Sequence, residues 1–333
     1  MNALPKVTIL IPTYGQQDFI SCAISSALAQ SYPNLEVIVV DDASPDQTAE
    51  KVAGFRDPRL RYVRNEQNLG RVKNYRRALY ELATGEWVVN LDGDDFYIDP
   101  DFISKAMELA SSEPGIVIVS ARRNVVTATG TREPLLLETT ILSGKEVILR
   151  YNDQRYHFSH LATLYHRPSA LDCDFYRMDV ISSDWESLLR LALKGKVAYL
   201  GRIVGCWNLH GGNASLNGCW RDLVDNLMIW ESIFQAASVT GIPQKALGSA
   251  RNATLLPIAF RDLSLILKGG AFLDAFKYLR YGFPILNTLV VLRILVHPYV
   301  WLKCGIIFFK RIVQNIVSKC TNCFRTESTG YGN

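Results

Sequence analysis

The sequence has few cysteines and lacks the pattern of a disulfide framework. Its 333 residues include 7 cysteines, an odd number scattered along the chain. Disulfide-rich domains are short and carry an even set of closely spaced cysteines. The pattern here is typical of reduced thiols inside a cell. Cys320 and Cys323 form one CxxC pair, but a zinc site would need a second pair of ligands nearby, so this pair predicts no metal centre.

The sequence also lacks an apolar run long enough to cross a membrane. Within its apolar C-terminal part the longest uncharged stretch, Tyr281–Leu292, has twelve residues, whereas a transmembrane helix needs about 20. Arg293 would lie within any longer span, which is costly in hydrocarbon. The N-terminal residues read as a strand and not as a signal peptide, so we expect the N-terminal body to stay in the cytoplasm.

Net charge is small but unevenly distributed. The formal charge is +4, yet residues 261–333 hold ten Lys and Arg against three Asp and Glu, so this part is +7 and the remainder −3. The asymmetry indicates an anionic partner. Residues 283–309 are mostly apolar, and Pro298 divides them, which favours two amphipathic helices lying on an anionic membrane surface. A buried helical hairpin is the alternative. Nucleic acid is not expected, because the basic part lacks interleaved stacking aromatics on polar segments.

The first 120 residues alternate between apolar β-branched runs and helical patterns. This alternation predicts an α/β fold with a mostly parallel, Rossmann-like sheet flanked by helices, whose ligands bind beyond the carboxyl ends of the strands. The predicted strands are residues 7–11, 35–40, 60–63, 87–91 and 115–120, and the predicted helices are residues 17–29, 46–54, 71–82 and 100–111.

The rest of the chain predicts a second half and a helical appendage. Residues 121–183 are polar, rich in arginine and aromatics, and read as a variable region that closes over a site. A helix at 184–194, strands at 196–201 and 203–210, and helical residues 222–266 follow. We therefore predict a catalytic domain at 1–220, with halves 1–120 and 121–220, a helical membrane-associated region at 221–320 and a flexible tail at 321–333.

Polar clusters follow three of the predicted strands. Their residues are Pro12-Thr13-Tyr14, Asp41-Asp42-Ala43-Ser44 and Asp92-Gly93-Asp94-Asp95. The last cluster follows a buried strand and concentrates hard oxygen ligands, which suit Mg²⁺ or Mn²⁺ shared with a bound diphosphate. An acidic turn without a ligand is the alternative, because Asp and Gly are ordinary turn residues.

Six segments in order carry a resemblance to a known family. PTYGQQDFI, LEVIVVDDASPDQT, NEQNLGRVKNYRRAL and VNLDGDD, followed by SDWESLLRLALKGKVAYLG and GCWNLHGGNAS, resemble the family 2 glycosyltransferases, inverting enzymes of the GT-A fold. The resemblance covers about residues 5–215. Each motif alone is weak, but six in the same order are specific.

The resemblance implies roles for particular residues. Asp94 is expected to bind the metal directly, Asp92 to lie at the ribose and metal edge, and His210 to reach the metal or diphosphate. Asp95 is expected to order the loop. On the nucleoside side, Asp42 would accept a hydrogen bond from the base, with the remaining donor-binding candidates being Pro12, Thr13, Tyr14, Asp41 and Lys73. For Lys73 a solvated helix charge is equally compatible with the sequence.

A direct displacement also needs a base for the acceptor hydroxyl. Asp184 stands where the family places its catalytic carboxylate, but this chain has Ser183-Asp184 where many relatives have Glu-Asp. Glu186 is the rival, and a helix cap is the non-catalytic alternative for Asp184. Arg190 is expected to support the site through packing.

The function that the resemblance implies is transfer of a sugar from a nucleoside-diphosphate sugar, most commonly a UDP-sugar, to a lipid-linked or surface-glycan acceptor. We expect a metal-dependent enzyme at the cytoplasmic face of the inner membrane. A nucleotidyltransferase is the enzymatic alternative, but it would carry a Gly-rich loop with a basic residue after the first strand. The loop here, PTYGQQ, has one glycine and no Lys or Arg. A non-enzymatic membrane-binding or nucleic-acid-binding protein is the third possibility.

Overall fold

The computed structural model describes residues 4–213, 219–268 and 271–296. They form two compact units. Unit 1 contains the described residues of 1–218 and 228–251, and unit 2 contains those of 219–227 and 252–333. The predicted domain boundary after residue 220 stays a prediction.

Unit 1 is built on one sheet with the strand order β3-β2-β1-β4-β9-β6-β10-β5. The strands are β1 (Val7–Thr13), β2 (Leu35–Asp41), β3 (Leu60–Arg64), β4 (Trp87–Asn90), β5 (Phe96–Tyr97), β6 (Ile116–Thr127), β7 (Gly130–Arg132), β8 (Thr140–Ser143), β9 (Thr163–His166) and β10 (Lys196–Asn208). β7 pairs with β6, and β8 pairs with β10. Strands β1 to β4, β6 and β10 run in one direction, while β9 lies antiparallel between β4 and β6. The predicted α/β fold is confirmed.

Helices cover the sheet because their apolar residues repeat at helical spacing. The helices of unit 1 are α1 (Ile20–Leu28), α2 (Thr48–Ala53), α3 (Arg71–Arg77), α4 (Phe102–Ser112), α5 (Gly144–Arg150), α6 (Arg167–Asp172) and α7 (Ser183–Ala192). α3 continues into a π-helical turn at Ala78–Leu82. On α1, for example, Ile20, Ile24 and Ala27 are fully buried in the core together with β1 and β2.

The second half of the sheet differs from the sequence prediction. Residues 196–208 form the single strand β10, where separate strands at 196–201 and 203–210 were expected, because pairing with β6 continues across register shifts near Ile203. β9 was not predicted, because it lies within residues 121–183, for which the sequence indicated a variable region without strands. The helical stretch 222–266 is divided between α8 (Trp220–Ser238) and α9 (Gln244–Lys268), and Gly241 between them has a positive φ of 82°.

In unit 2, α10 (Phe272–Val296) is one helix that begins eleven residues before the apolar piece expected at residue 283. Its buried side includes Tyr278, Leu286 and Val290, whereas Leu273 and Phe276 are largely exposed. Across the described ranges no helix is long and apolar enough to span a bilayer. Residues 297–309 with Pro298, the Cys320/Cys323 pair and the tail 321–333 lie outside the described residues.

Candidate active site

The loops that follow β1 and β4 touch each other at Gly93. Its N–H donates to the carbonyl of Pro12 at 3.2 Å. A Cβ added at Gly93 would lie 2.8 Å from Thr13 Oγ1 and 2.2 Å from Gln16 Oε1. Only glycine therefore allows this approach. The contact places the Asp92–Asp95 cluster beside the predicted nucleoside-binding residues, of which Thr13 is buried and Tyr14 is 51% exposed.

Both carboxylate oxygens of Asp92 have side-chain partners. Tyr75 Oη donates to Oδ1 at 2.8 Å, and His160 Nδ1 lies 3.4 Å from Oδ2. Burial raises the pKa of Asp92, but the charges of His160 and Arg71 and the hydrogen bonds from His160 and Tyr75 together hold this pKa below its ordinary value. Burial lowers the pKa of His160, but the charge and hydrogen bond of Asp92, together with the charge of Asp184, raise this pKa above its ordinary value. Asp92 is thus held as an ordered carboxylate at the carboxyl end of β4.

Asp94 is paired with the loop that follows β10. His210 Nε2 lies 2.9 Å from Asp94 Oδ2, and Asn213 Nδ2 donates to the same oxygen at 3.2 Å. Because Gly212 N–H donates to Nδ1 of His210, Nε2 carries the proton and donates to Asp94. The imidazole also stacks on Phe19 with a centroid distance of 4.8 Å. The structure therefore brings His210 into contact with a carboxylate of the acidic cluster, and its predicted contact with a metal or diphosphate stays a prediction.

The acidic cluster contains unrelieved repulsion. Burial and the charge of Asp92 raise the pKa of Asp94, and burial together with Asp94 and Asp92 raises the pKa of Asp95 well above its ordinary value. Asp95 Oδ1 accepts from the backbone N–H of Asn208 at 3.0 Å, which ties the cluster to β10. A cation bound here would relieve the repulsion.

The two aspartates after β2 are both buried and occupied by protein donors. Asp41 accepts from Ser44 N–H at 2.8 Å and from Tyr62 Oη at 2.6 Å. Asp42 accepts from Asn65 Nδ2 at 2.6 Å and from the backbone N–H groups of residues 69 and 70 at 2.8 and 2.9 Å. Both carboxylates therefore shape the loops around the predicted nucleoside pocket. Their proposed contact with a base, and that of exposed Lys73 on α3 with a diphosphate, stay predictions.

The two candidate bases on α7 have opposite environments. Asp184 is partly exposed in the first turn of the helix, and among the described residues it accepts no hydrogen bond and forms no ion pair. Glu186 is fully buried and bound by Arg190 Nε at 2.5 Å and Arg177 Nε at 3.0 Å. Ser232 Oγ also donates to Glu186 at 2.6 Å. Among the described residues the Asp184 carboxylate thus keeps both oxygens free of hydrogen bonds, whereas Glu186 is held by three donors.

The oxygen ligands of the acidic cluster suit a divalent cation only if other ligands complete its coordination shell. In the described ranges no three His, Cys, Asp or Glu side chains are arranged to hold a metal. Mg²⁺ commonly takes only one or two protein carboxylates, with waters and substrate phosphates completing its shell. Asp92 and Asp94, whose side chains are 29% and 11% exposed, supply two such carboxylates at one edge of the sheet. The residues fit a cation shared with a diphosphate.

Sequence reasoning missed several residues at this site. Tyr75 and Arg71 lie in a segment where only Lys73 was singled out, yet Tyr75 binds Asp92 and Arg71 donates to the carbonyls of Val180 and Ile181 ahead of α7. His160 lies 68 positions from Asp92, and no local pattern links the two. Only the pairing of β9 with β4 in the structure links them. The two strands are antiparallel, so the start of β9 lies beside the end of β4.

The strand order and the acidic cluster beyond β4 place the protein in the GT-A class of α/β folds. Two solved structures share this fold. S. aureus TarS 1-349 in complex with UDP-GlcNAc is 18% identical, with a TM-score of 0.57 over 83% of this chain and 90% of that one. Mannosyltransferase PcManGT from Pyrobaculum calidifontis, in complex with GDP-Man and Mn²⁺, is 21% identical, with a TM-score of 0.54 over 96% and 89%. At these identities they show the fold alone.

The profile of Glycosyl transferase family 2 matches residues 8–173, and the chain belongs to this family. The succinoglycan biosynthesis protein ExoO of Rhizobium meliloti (strain 1021) is 38% identical over 112 residues, 34% of this chain and 32% of ExoO. The Escherichia coli protein WfgD, named a UDP-Glc:alpha-D-GlcNAc-diphosphoundecaprenol beta-1,3-glucosyltransferase, is 40% identical over 92 residues, 28% of this chain and 36% of WfgD. The chain thus spans about a third of these relatives.

Proposed function

We propose that this protein transfers a sugar from a nucleoside-diphosphate sugar to a hydroxyl group of a lipid-linked or growing glycan acceptor, with inversion at the anomeric carbon. The family and the fold support sugar transfer. The relative WfgD is named for a UDP-Glc donor and a diphosphoundecaprenol acceptor, and the TarS structure contains UDP-GlcNAc. A UDP-sugar and a lipid-linked acceptor are therefore the substrates that we propose for this chain.

The observation that carries the proposal is the free carboxylate of Asp184. Inversion in one displacement requires a base that takes the proton of the acceptor hydroxyl as its oxygen attacks. Asp184 accepts no hydrogen bond and forms no ion pair among the described residues and is partly exposed, whereas Glu186 is buried and accepts hydrogen bonds from Arg190, Arg177 and Ser232. We assign proton acceptance to a carboxylate oxygen of Asp184, and we assign Glu186 to holding α7 in place.

We assign the diphosphate side of the reaction to the acidic cluster. Asp92 and Asp94 would hold Mn²⁺ or Mg²⁺, which when bound neutralises charge on the leaving diphosphate. Tyr75 and His160 keep Asp92 ordered, and His210 orders Asp94. The Mn²⁺ in the structure of PcManGT supports this assignment by similarity of fold. Asp95 fixes the loop through its bond to β10.

We further propose that unit 2 contacts the anionic, cytoplasmic face of the inner membrane. In unit 2 the rings of Trp220 and Tyr281 stack at 5.6 Å, and Lys277 Nζ lies 5.5 Å from the Trp220 ring centroid. Arg280 lies over the Tyr281 ring at 5.7 Å. Aromatic and basic side chains grouped in this way suit the headgroup region of a bilayer. A lipid-linked acceptor would be presented at the same surface.

A donor screen tests the proposed reaction. Nucleotide release would be measured for purified protein with UDP-, GDP- and TDP-sugars, with Mn²⁺ and a polyprenyl-diphosphate-linked sugar as acceptor. We expect acceptor-dependent release from a UDP-sugar. Asp184→Asn should lower transfer at least a hundredfold and leave donor binding unchanged, because it removes only the proton acceptor.

Glu186→Gln is the companion variant in this screen. It weakens the buried pair with Arg190, so it should lower thermal stability and keep transfer per folded molecule. Loss of transfer in Glu186→Gln with normal transfer in Asp184→Asn would reverse the assignment. Absence of release from every nucleotide sugar would refute the proposed function.

A further inference from the structure

A buried hydrogen-bond network continues from Asp92 into the protein. On the side of the His160 ring away from Asp92, Nε2 lies 2.7 Å from Tyr176 Oη. Tyr176 Oη and Tyr165 Oη lie 3.1 and 2.9 Å from Asn90 Oδ1, at the end of β4. Tyr176 and Asn90 are 2% and 0% exposed. Buried phenols could pack equally well as phenylalanines, so the polar atoms have a role other than filling the core.

The backbone at Tyr176, one residue of this network, has a strained conformation. Its φ is 58°, a left-handed conformation that a bulky residue rarely adopts. The conformation is held because the N–H of Tyr176 donates to Ser187 Oγ on α7 at 2.8 Å. The ring also contacts Phe175 and Tyr75, with centroid distances of 4.7 and 5.4 Å. Strain of this kind persists where the surroundings over-determine it, commonly at functional sites.

Topology explains why His160 reaches Asp92. β9 pairs antiparallel with β4, with Trp87 opposite His166 and Val88 opposite Tyr165. Continuing this register brings the residues just before β9 beside the residues just after β4. His160 opens the short helical turn that precedes β9. The imidazole therefore lies below the acidic cluster, with a side chain only 12% exposed.

We infer that His160 is a positioning residue for Asp92, and that Tyr176 fixes the orientation of the His160 ring. Each ring nitrogen faces a protein group, Asp92 on one side and Tyr176 on the other, so His160 is not itself a ligand for substrate or metal. With Tyr75 on Oδ1 and His160 on Oδ2, the carboxylate plane is held from both ends. The inference rests on the proposed role of Asp92 at the diphosphate and metal. Outer groups that orient ligating residues typically change metal affinity by 10–100-fold when removed.

The test measures binding and not turnover. UDP would be titrated calorimetrically into the full chain with and without Mn²⁺, for the wild type and for His160→Ala, His160→Asn and Tyr176→Phe. We expect His160→Ala to weaken the Mn²⁺-dependent binding of UDP about tenfold or more. His160→Asn should recover most of the loss, because its amide nitrogen can take the place of Nδ1 and donate to Asp92. Tyr176→Phe should weaken binding in the same direction, and Mn²⁺-free binding should change little.

His166→Ala is the matched control. His166 ends β9, the strand that directly follows the turn of His160, and its contacts are Ser169, Trp87 and Glu86, none of them in the acidic cluster. It should bind UDP as the wild type does. Wild-type affinity in both His160→Ala and Tyr176→Phe would overturn the inference, as would equal weakening in the His166→Ala control. Should His160→Ala fail to fold, Tyr176→Phe decides alone. A wild type that binds no UDP would refute the proposed UDP-sugar donor instead, so the two failures are distinguishable.

Discussion

At the scale of single residues, the site consists of carboxylates with sharply different surroundings. Asp92, Asp94 and Asp95 lie within one loop, and burial together with mutual repulsion raises the pKa of the last two. Asp41, Asp42 and Glu186 are saturated with hydrogen bonds, whereas Asp184 has none among the described residues. Burial and hydrogen bonding therefore distinguish carboxylates that residue type alone does not distinguish. These differences predict the effects of individual substitutions.

Asp94→Asn should separate stability from function. The substitution removes a charge that opposes Asp92 and Asp95, so we expect the melting temperature to stay the same or rise. It also removes the negatively charged carboxylate that is proposed to bind the metal, so sugar transfer should fall at least a hundredfold. Thermal melting and nucleotide release measure the two effects. Glu108→Gln, exposed on α4, is the control and should change neither. Full transfer by Asp94→Asn in the presence of a chelator would contradict the metal assignment.

Gly93→Ala should lower the free energy of unfolding, because its added methyl group has no room between the loops that follow β1 and β4. The added carbon would lie 3.0 Å or less from Thr13 Cβ and Oγ1, so the two loops must separate. We expect a loss of about 1–3 kcal/mol in the free energy of unfolding, typical of overpacking, together with weaker donor binding. Gly248→Ala on α9 is the matched control, because nothing lies within 4 Å of its added carbon. It should be neutral or stabilising. Equal behaviour of both variants in urea titrations would contradict the close contact.

At the scale of elements, β9 and α10 depart furthest from the expectations. β9 inserts an antiparallel strand between β4 and β6 and carries His160 to the site. α10 is a single helix over Phe272–Val296, where the sequence suggested an apolar piece starting at residue 283. Leu273, Phe276 and Phe283 are exposed on it beside the basic residues Lys277 and Arg280, and the proposed membrane contact rests on these side chains.

Reversing two charges on α10 should weaken membrane binding selectively. Each basic residue near an anionic surface contributes about 1 kcal/mol, so losing Lys277 and Arg280 costs about 2 kcal/mol, roughly thirtyfold in affinity. The double variant Lys277→Glu/Arg280→Glu should therefore bind phosphatidylglycerol vesicles at least thirtyfold less tightly and neutral phosphatidylcholine vesicles almost unchanged. Sedimentation with vesicles measures both, and added salt should reduce the difference.

The charge-matched control for α10 is Lys51→Glu/Lys105→Glu in unit 1. Both lysines are exposed, on α2 and α4, so this variant has the same net charge change at different elements. It should bind vesicles as the wild type does. Equal weakening in both double variants would assign the effect to net charge alone, and a wild type that ignores all vesicles would remove the membrane proposal.

At the scale of the whole molecule, ligand binding should raise the free energy of unfolding and therefore the melting temperature. UDP and Mn²⁺ are proposed to meet at the same acidic cluster, so each should increase the affinity for the other. A ligand at 100 times its dissociation constant stabilises the folded state by about 2.7 kcal/mol, which corresponds to a rise of about 5 °C in the melting temperature.

Differential scanning calorimetry with UDP, Mn²⁺ and both together checks this coupling. We expect the shift with both to exceed the sum of the separate shifts. Asp94→Asn should reduce the combined shift to that of UDP alone. A combined shift equal to the sum in the wild type would mean that the nucleotide and the metal bind independently.

The sequence by itself determined the class of fold and the positions of its acidic loops. Apolar β-branched runs specify strands over four to seven residues, and helical spacing specifies the helices between them, so local patterns suffice for β1 to β4 and α1 to α4. The family resemblance followed from the same local segments. The assignments of Asp42, Asp92, Asp94, Asp184 and His210 to individual steps stay predictions that the experiments above address.

Only the tertiary structure decided which distant side chains meet. The antiparallel pairing of β9 with β4 places His160 beside Asp92. On α7, Glu186 is buried and bound by Arg190, whereas Asp184 is partly exposed. The physical reason is that a local pattern encodes which face of an element is apolar, but not which element becomes its neighbour. Strand order and register set those contacts, and they depend on the free energy of the whole sheet.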